Sequence, residues 1–137
     1  EGCFLTASLL WEHIKKDNVN FVGGPTLGAD PIVSGICCVA YKHKQNIKAF
    51  LVRKSPKKYG RCKMIEGPDI PRRSKAVIID DVATSGGSLI KTIDVLQKEG
   101  IRVVGAYTVV DRQEGASEAL EKSGCAFSAL YQKSDFR

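Results

Sequence analysis

One short run of residues constrains this chain more than any other, because it joins an apolar strand to two acids and then to a loop of small residues. Val77, Ile78 and Ile79 are apolar at successive positions, as in a central strand of a parallel sheet that is covered on both faces. Asp80 and Asp81 follow, at the carboxyl end of that strand, where open α/β sheets bind their ligands. Two adjacent carboxylates there can accept hydrogen bonds from two neighbouring hydroxyl groups.

The residues after the acids are suited to hold a phosphate group, and we call residues 82–88 the phosphate cradle. They supply backbone N–H groups beside small side chains, three hydroxyls and the positive end of a following helix. The cradle has neither the Gly-Lys-Ser/Thr of a P-loop nor the Gly-x-Gly-x-x-Gly of a dinucleotide fold. The alternative is that the two acids only end a strand and Ser88 only caps a helix. The members of the cradle are Val82, Ala83, Thr84, Ser85, Gly86, Gly87 and Ser88.

Helix and strand patterns alternate along the 137 residues, which fit one domain that spans the whole chain. We predict helices over residues 4–16, from an N-cap at Asp30 to residue 41, through residues 89–96 up to Gly100, and over 116–122. We predict strands over residues 21–22, 47–52, 77–79, 102–110 and 126–131. Five strands separated by helices predict an α/β fold, a doubly wound five-stranded parallel sheet with helices on both faces.

Residues 53–71 interrupt this alternation, since they are polar, rich in Lys and Gly and without periodicity. We predict a mobile loop there, because long loops in compact domains are usually lids or disordered segments. Six cations fall within eleven residues that contain no acid, and the formal charge of the chain is +6. Only Tyr59 is aromatic in that stretch, so a small polyanionic molecule fits it better than a stacked single strand of nucleic acid. The six cations are Arg53, Lys54, Lys57, Lys58, Arg61 and Lys63.

Cysteine and histidine usage favours neither a disulfide framework nor a zinc site. The five cysteines are odd in number and lack Cys-x-x-Cys spacing, and the chain has only two histidines. We therefore predict reduced thiols, mostly in the core. No apolar run reaches membrane-spanning length and the first residues lack the basic region of a signal peptide, so we expect a soluble, cytoplasmic protein.

The run at residues 76–88 resembles the 5-phosphoribosyl-1-pyrophosphate (PRPP) signature of type I phosphoribosyltransferases. Three further stretches are similar to the orotate phosphoribosyltransferases within that family. Residues 50–60, followed by 65–67, resemble the family's passage from a strand into a mobile lysine loop. Residues 111–115, Asp-Arg-Gln-Glu-Gly, resemble the Asp-Arg-Gln-Glu element that follows a strand in this family. Residues 23–31 resemble the glycine-rich turn of the family that faces pyrophosphate.

The resemblance implies transfer of a phosphoribosyl group from PRPP to orotate, giving orotidine 5′-monophosphate and pyrophosphate in UMP synthesis. It assigns Asp80 and Asp81 to the ribose hydroxyls, the phosphate cradle to the 5-phosphate, and Thr84 and Arg112 to the pyrimidine. It assigns the pyrophosphate to Arg53, Lys54 and Lys57, with Tyr59 in the place of a loop histidine. Lys57, Asp80 and Asp81 are the implied catalytic residues.

The resemblance also implies a homodimer with shared active sites and Mg²⁺ held mostly by PRPP oxygens and water, without a metal site of the protein. For Arg112 the residues leave a second interpretation open, a surface arginine that pairs with Glu114. Because the first residues are predicted to form a helix, we expect the N-terminal hood segment, in which the family places further substrate contacts, to be missing from the given residues. It has Leu27-Gly28 where some members have Tyr-Lys.

Two alternatives stay open at this point. One is a phosphoribosyltransferase for another base. The other is a PRPP-binding regulator on the same fold that binds nucleic acid through scattered cations, a pattern that is more typical of a solvated face. Those cations are Lys42, Lys44, Lys48, Arg72, Arg73 and Lys75.

Overall fold

A computed structural model describes residues 1–55 and 63–136, which form a six-stranded sheet between two layers of helices. The helices are α1 (Gly2–Ile14), α2 (Ala29–Lys42), α3 (Gly87–Lys98) and α4 (Ala116–Lys122). The strands are β1 (Phe21–Pro25), β2 (Lys48–Val52), β3 (Ile65–Glu66), β4 (Lys75–Ala83), β5 (Arg102–Asp111) and β6 (Phe127–Gln132). Short 3-10 turns cover Lys15–Asp17 and Lys133–Asp135.

The strands lie in the order β3-β2-β1-β4-β5-β6, and β3 is the antiparallel member of the sheet. The predicted doubly wound sheet of five parallel strands is therefore confirmed, with one strand added. β3 has two residues and pairs with the end of β2 inside the segment 53–71 that we predicted as a loop. Two residues are too few to show an alternating pattern, which is why this strand could not be predicted.

Apolar side chains at alternate positions of the strands pack into two hydrophobic cores, one on each face of the sheet. On one face, Val22, Val77 and Ile79 pack with α1 and α2. On the other face, Phe50 and Ile78 pack with α3 and α4. β4 lies at the centre of the sheet, between β1 and β5, and its residues 76–80 are therefore buried on both faces.

β1 and β4 extend further than predicted. β1 runs to Pro25 because Gly24 lets it approach β4 closely, and a Cβ atom at Gly24 would overlap the carbonyl oxygen of Ile79. β4 continues through Ala83 because it stays paired with β5 as far as Asp111. The two acids of the central motif therefore lie within β4 instead of following it.

The predicted N-cap at Asp30 is wrong. Gly28 already has helical backbone angles and caps α2, so Asp30 is the second residue of the helix. Its carboxylate oxygen Oδ1 is buried and has no hydrogen-bond partner among the described residues.

The described cysteines are free thiols, but they are not mostly in the core. Cys125 is buried and Cys37 is half-buried, whereas Cys3 and Cys38 are exposed. Cys62 lies outside the described residues. Of the helices within residues 1–55 and 63–136, none is long and apolar enough to cross a membrane.

Candidate active site

Four neighbouring strand ends bring most of the predicted site residues to one edge of the sheet. β2, β1, β4 and β5 are adjacent and parallel, so their carboxyl ends face the same way. Backbone hydrogen bonds tie these ends in pairs. The N–H of Thr26 donates to the carbonyl of Val52 at 3.1 Å, and the N–H of Arg112 donates to that of Ala83 at 2.9 Å. The glycine-rich turn is thus joined to the end of β2, and the cradle to the Arg112 loop.

Asp80 is a buried carboxylate at the centre of this edge, with 6% of its surface exposed. Its Oδ2 accepts a hydrogen bond from the Ser88 hydroxyl at 2.8 Å, and its Oδ1 accepts one from the backbone N–H of Asp81 at 3.0 Å. Burial raises the pKa of Asp80 to about 6, the two hydrogen bonds act to lower it, and the neighbouring Asp81 carboxyl acts to raise it. Asp80 therefore changes its charge close to neutral pH.

Asp81 is exposed and lies against the glycine-rich turn. A Cβ atom on Gly28 would lie 2.5 Å from both Cγ and Oδ1 of Asp81, so only glycine leaves room for this carboxylate. Oδ1 also accepts the N–H of Val82 at 2.7 Å. The buried hydroxyl of Thr108 on β5 donates to the carbonyl of Asp81 at 3.0 Å and fixes its backbone.

The cradle is divided between a strand, a turn and a helix. Val82 and Ala83 belong to β4, the turn covers residues 84–86, and Gly87 and Ser88 open α3. In the described part of the chain no side chain caps this helix. The first backbone N–H groups of α3 therefore lack intrahelical acceptors, and a Cβ atom on Gly87 would meet only the Ser85 hydroxyl, at 3.7 Å. An open helix start of this kind attracts anions.

Arg112 begins the loop after β5, and its guanidinium is paired with Glu114 at 2.8 Å. The surface ion pair that the sequence left open is therefore present, beside the end of β4. Asp111 folds the loop, because its buried carboxylate accepts the N–H of Gln113 at 2.9 Å. Gln113 has a φ of 58° and its side-chain oxygen accepts the N–H of Ser134 at 3.2 Å. The loop is thus anchored to the C-terminal 3-10 turn.

The predicted pyrophosphate cations are only partly within the described residues. The Arg53 guanidinium lies 3.4 Å from a carboxylate oxygen of Glu66 on β3, and Lys54 is exposed. Lys57 and Tyr59 lie outside the described residues. The structure thus brings the two acids, the cradle, the glycine-rich turn, Arg53 and Arg112 to the same edge.

Sequence reasoning missed three contacts that shape the site. The Gly28–Asp81 contact and the Ser88–Asp80 hydrogen bond join residues whose proximity only the folded chain reveals. The Asp111 contact had a local signal, since an aspartate often binds the backbone N–H two residues further along.

An open helix start beside paired carboxylates, at the carboxyl edge of a parallel sheet, is typical of an α/β protein that binds phosphorylated ligands. The phosphoribosyl transferase domain pattern matches residues 31–127. Orotate phosphoribosyltransferase of Rhodopseudomonas palustris (strain BisB5) is 38% identical over 139 residues, which cover 99% of this chain and 74% of that protein. The enzyme of that name from Aquifex aeolicus is 39% identical over 135 residues, 98% of this chain and 73% of its own.

Solved structures agree with this assignment. The crystal structure of Mycobacterium tuberculosis orotate phosphoribosyltransferase in complex with PRPP superimposes with a TM-score of 0.83 at 33% identity, covering 98% of this chain and 75% of that one. The chain therefore belongs to the phosphoribosyltransferase family and, within it, to the orotate phosphoribosyltransferases.

Proposed function

We propose that this chain transfers a 5-phosphoribosyl group from PRPP to orotate, releasing orotidine 5′-monophosphate and pyrophosphate. The observation that carries the proposal is the placement of Asp80 and Asp81 directly before the open start of α3, at the edge that also holds Arg112. The relatives named orotate phosphoribosyltransferase support the choice of substrate.

The two acids suit a sugar with neighbouring hydroxyls. When ionised, each carboxylate only accepts hydrogen bonds, so two sugar hydroxyls can donate to Asp80 and Asp81. The 5-phosphate would then lie at the cradle, where the first N–H groups of α3 and the helix dipole stabilise an anion. This arrangement fixes the sugar at two points.

The reaction separates charge, and the site offers groups of suitable sign on each side. The bond from C1 of the sugar to pyrophosphate breaks, a ring nitrogen of orotate forms the new bond to C1, and that nitrogen loses its proton. Positive, oxocarbenium-like character grows on the sugar, as in glycoside hydrolysis. The carboxylates of Asp80 and Asp81 stabilise it, and no covalent nucleophile is needed.

We propose that the substrate is the Mg²⁺ complex of PRPP. Mg²⁺ keeps several waters and is usually bound through substrate phosphates, so PRPP oxygens and water would hold most of its coordination sphere. Within residues 1–55 and 63–136 no three His, Cys, Asp or Glu side chains are grouped to enclose a metal ion. The ion would neutralise the pyrophosphate as it leaves.

Arg53, Lys54 and Lys57 complete the proposal as pyrophosphate contacts. Within this single domain, the cation-rich segment between β2 and β3 would act as a lid that covers the leaving group and excludes water. Some of these contacts would come from the second subunit of a homodimer, and Tyr59 would face the substrate from the same loop. A cytoplasmic location stays a prediction, which cell fractionation tests.

Arg112 is the group that we assign to orotate, together with Thr84. A guanidinium binds a carboxylate through two parallel hydrogen bonds, and orotate carries one carboxylate. Glu114 is the carboxylate that pairs with Arg112, at 2.8 Å. Orotate would therefore exchange one carboxylate partner of Arg112 for another.

A turnover assay against a panel of bases tests the proposal. The protein is incubated with Mg-PRPP and orotate, uracil, adenine, guanine or hypoxanthine, and pyrophosphate release and product mass are measured. We expect PRPP-dependent formation of orotidine 5′-monophosphate and none of it from an Asp80→Asn/Asp81→Asn control. Turnover with another base alone would reassign the substrate, and PRPP binding without turnover would favour a regulator.

A further inference from the structure

The hydroxyl of Ser88 connects two parts of the site, the phosphate cradle to which Ser88 belongs and the paired acids Asp80 and Asp81. Ser88 is the second residue of α3, and its Oγ donates to Oδ2 of Asp80 at 2.8 Å. A serine hydroxyl has a single hydrogen to donate. Phosphate oxygens need a donor, so this hydroxyl cannot serve Asp80 and a phosphate at the same time.

We infer that Ser88 is a positioning residue whose hydroxyl orients the sugar-binding carboxylate of Asp80, leaving the phosphate to the rest of the cradle. The inference rests on the proposed function for its ligand, but its geometry stands alone. Among the described residues, Asp80 has one donor on each oxygen, Ser88 on Oδ2 and the N–H of Asp81 on Oδ1. Removing the first leaves a buried oxygen without its donor and frees the side chain to rotate.

The other groups around Asp80 do not replace this hydrogen bond. On β5, Thr108 lies opposite Asp80 in register, but its hydroxyl contacts the carbonyl oxygens of Asp81 and Val110. The neighbouring charge that acts on Asp80 is the carboxyl of Asp81, which opposes ionisation. Burial raises the pKa of Asp80 to about 6 and the Ser88 hydroxyl lowers it, so loss of the hydroxyl favours the protonated acid.

The first test reads Asp80 in the free protein. The side-chain carboxyl carbons of aspartate are followed by NMR from pH 4 to 8, and Asp80→Asn identifies the Asp80 signal. We expect Ser88→Ala to raise the proton affinity of Asp80 about tenfold, as loss of a hydrogen bond to a charged group predicts. Ser88→Thr keeps a hydroxyl and should restore the parent titration. Ser85→Ala removes another cradle hydroxyl and should leave the Asp80 titration unchanged.

The second test measures the dissociation constant of Mg-PRPP by calorimetry between pH 5.5 and pH 8, in the parent protein and the same variants. The ratio of the Ser88→Ala constant to the parent constant cancels the titration of PRPP itself. We expect this ratio to be about sevenfold larger at pH 5.5 than at pH 8, because Asp80 is protonated more often in the variant than in the parent at the lower pH. A hydroxyl that bound phosphate would give the opposite trend, since its bond weakens as the phosphate gains a proton.

The two tests separate failure of the inference from failure of the proposed function. An unchanged Asp80 titration in Ser88→Ala overturns the inference, whether or not PRPP binds. A ratio that is constant or that falls toward acid pH also overturns it, provided that Asp80→Asn weakens PRPP binding. If Asp80→Asn leaves PRPP binding unchanged while Ser88→Ala shifts the titration, the proposed function is wrong and the positioning role stands.

Discussion

The contact between Gly28 and the Asp81 carboxylate leads to a prediction in which function is lost while the fold is kept. In Gly28→Ala the new Cβ atom would lie 2.5 to 2.6 Å from three atoms of that carboxyl group, where 3.4 to 4 Å is an ordinary contact. Gly28 has a φ of −57°, which alanine adopts without strain. The carboxylate is the end of an exposed side chain, so it moves aside, at the cost of its hydrogen bond from the Val82 N–H, and the backbone does not move.

The magnitude follows from the size of that displacement. The carboxylate must move by about 1 Å, which breaks its hydrogen bond to a sugar hydroxyl, and a lost hydrogen bond to a charged group costs about 1.5–3 kcal/mol. On the scale of about 1.4 kcal/mol per factor of ten, this is a loss of roughly 10- to 150-fold in Mg-PRPP affinity. The free energy of unfolding should change by no more than about 1 kcal/mol, because replacing glycine at a compatible site also restricts the unfolded chain.

Calorimetry with Mg-PRPP and thermal unfolding of Gly28→Ala measure the two quantities side by side. Gly2→Ala is the matched control, since a Cβ atom there meets nothing within 4 Å. In a protein that already carries Asp81→Ala, adding Gly28→Ala should cause little further loss of affinity, because the clashing carboxylate is gone. Two results would refute the reasoning. One is full Mg-PRPP affinity in Gly28→Ala, and the other is an equally large effect of Gly28→Ala when it is added to Asp81→Ala.

Three further predictions concern other parts of the site. Arg112→Ala should raise the KM for orotate at least tenfold with little change in the KM for PRPP, because a lost charge-assisted hydrogen bond costs about 1.5–3 kcal/mol. An equal rise in both KM values would contradict the assignment of Arg112 to orotate. Lys57→Ala should lower kcat with little change in either KM, because negative charge on the leaving group is greatest in the transition state. Mixing this variant with Asp80→Asn/Asp81→Asn protein should restore some activity through hybrid dimers. No recovery after confirmed subunit exchange would argue against a shared site. Asp80→Asn should change how the free energy of unfolding depends on pH. Because the pKa of Asp80 is raised to about 6 in the folded protein, the parent loses stability as pH rises from about 4 to 7. The stability of the variant, measured relative to the parent, should therefore increase over that range and then level off.

The overall fold was largely predictable because its signals are periodic and local. The apolar run of β4, the helical stripes and the glycines that end α3 and α4 each specify an element by themselves. Gly100 and Gly124 have φ values of 76°, the left-handed conformation that glycine favours at a helix end. Alternation of such elements then leaves few topologies other than a doubly wound sheet.

The details of the site were less predictable because they arise between distant segments. Gly28 and Asp81 are far apart in the chain, and their contact depends on how closely β1 approaches β4. The sequence suggested Ser88 as one of three phosphate-binding hydroxyls, yet the folded helix turns it toward Asp80. The position of Arg53 depends on Glu66 in β3, a strand too short to leave a pattern.

Titration calorimetry of Mg-PRPP into the parent protein and Asp80→Asn/Asp81→Asn at pH 8 tests the central claim most directly, because it isolates binding of the sugar phosphate from choice of base. Asp80, whose pKa is raised to about 6, is ionised in the parent at that pH, so the comparison reports the loss of two carboxylate acceptors without interference from its titration. We predict saturable 1:1 binding per subunit in the parent and a loss of at least 100-fold in affinity in a variant that unfolds cooperatively. Equal affinity of the two proteins for Mg-PRPP would contradict the assignment of this site.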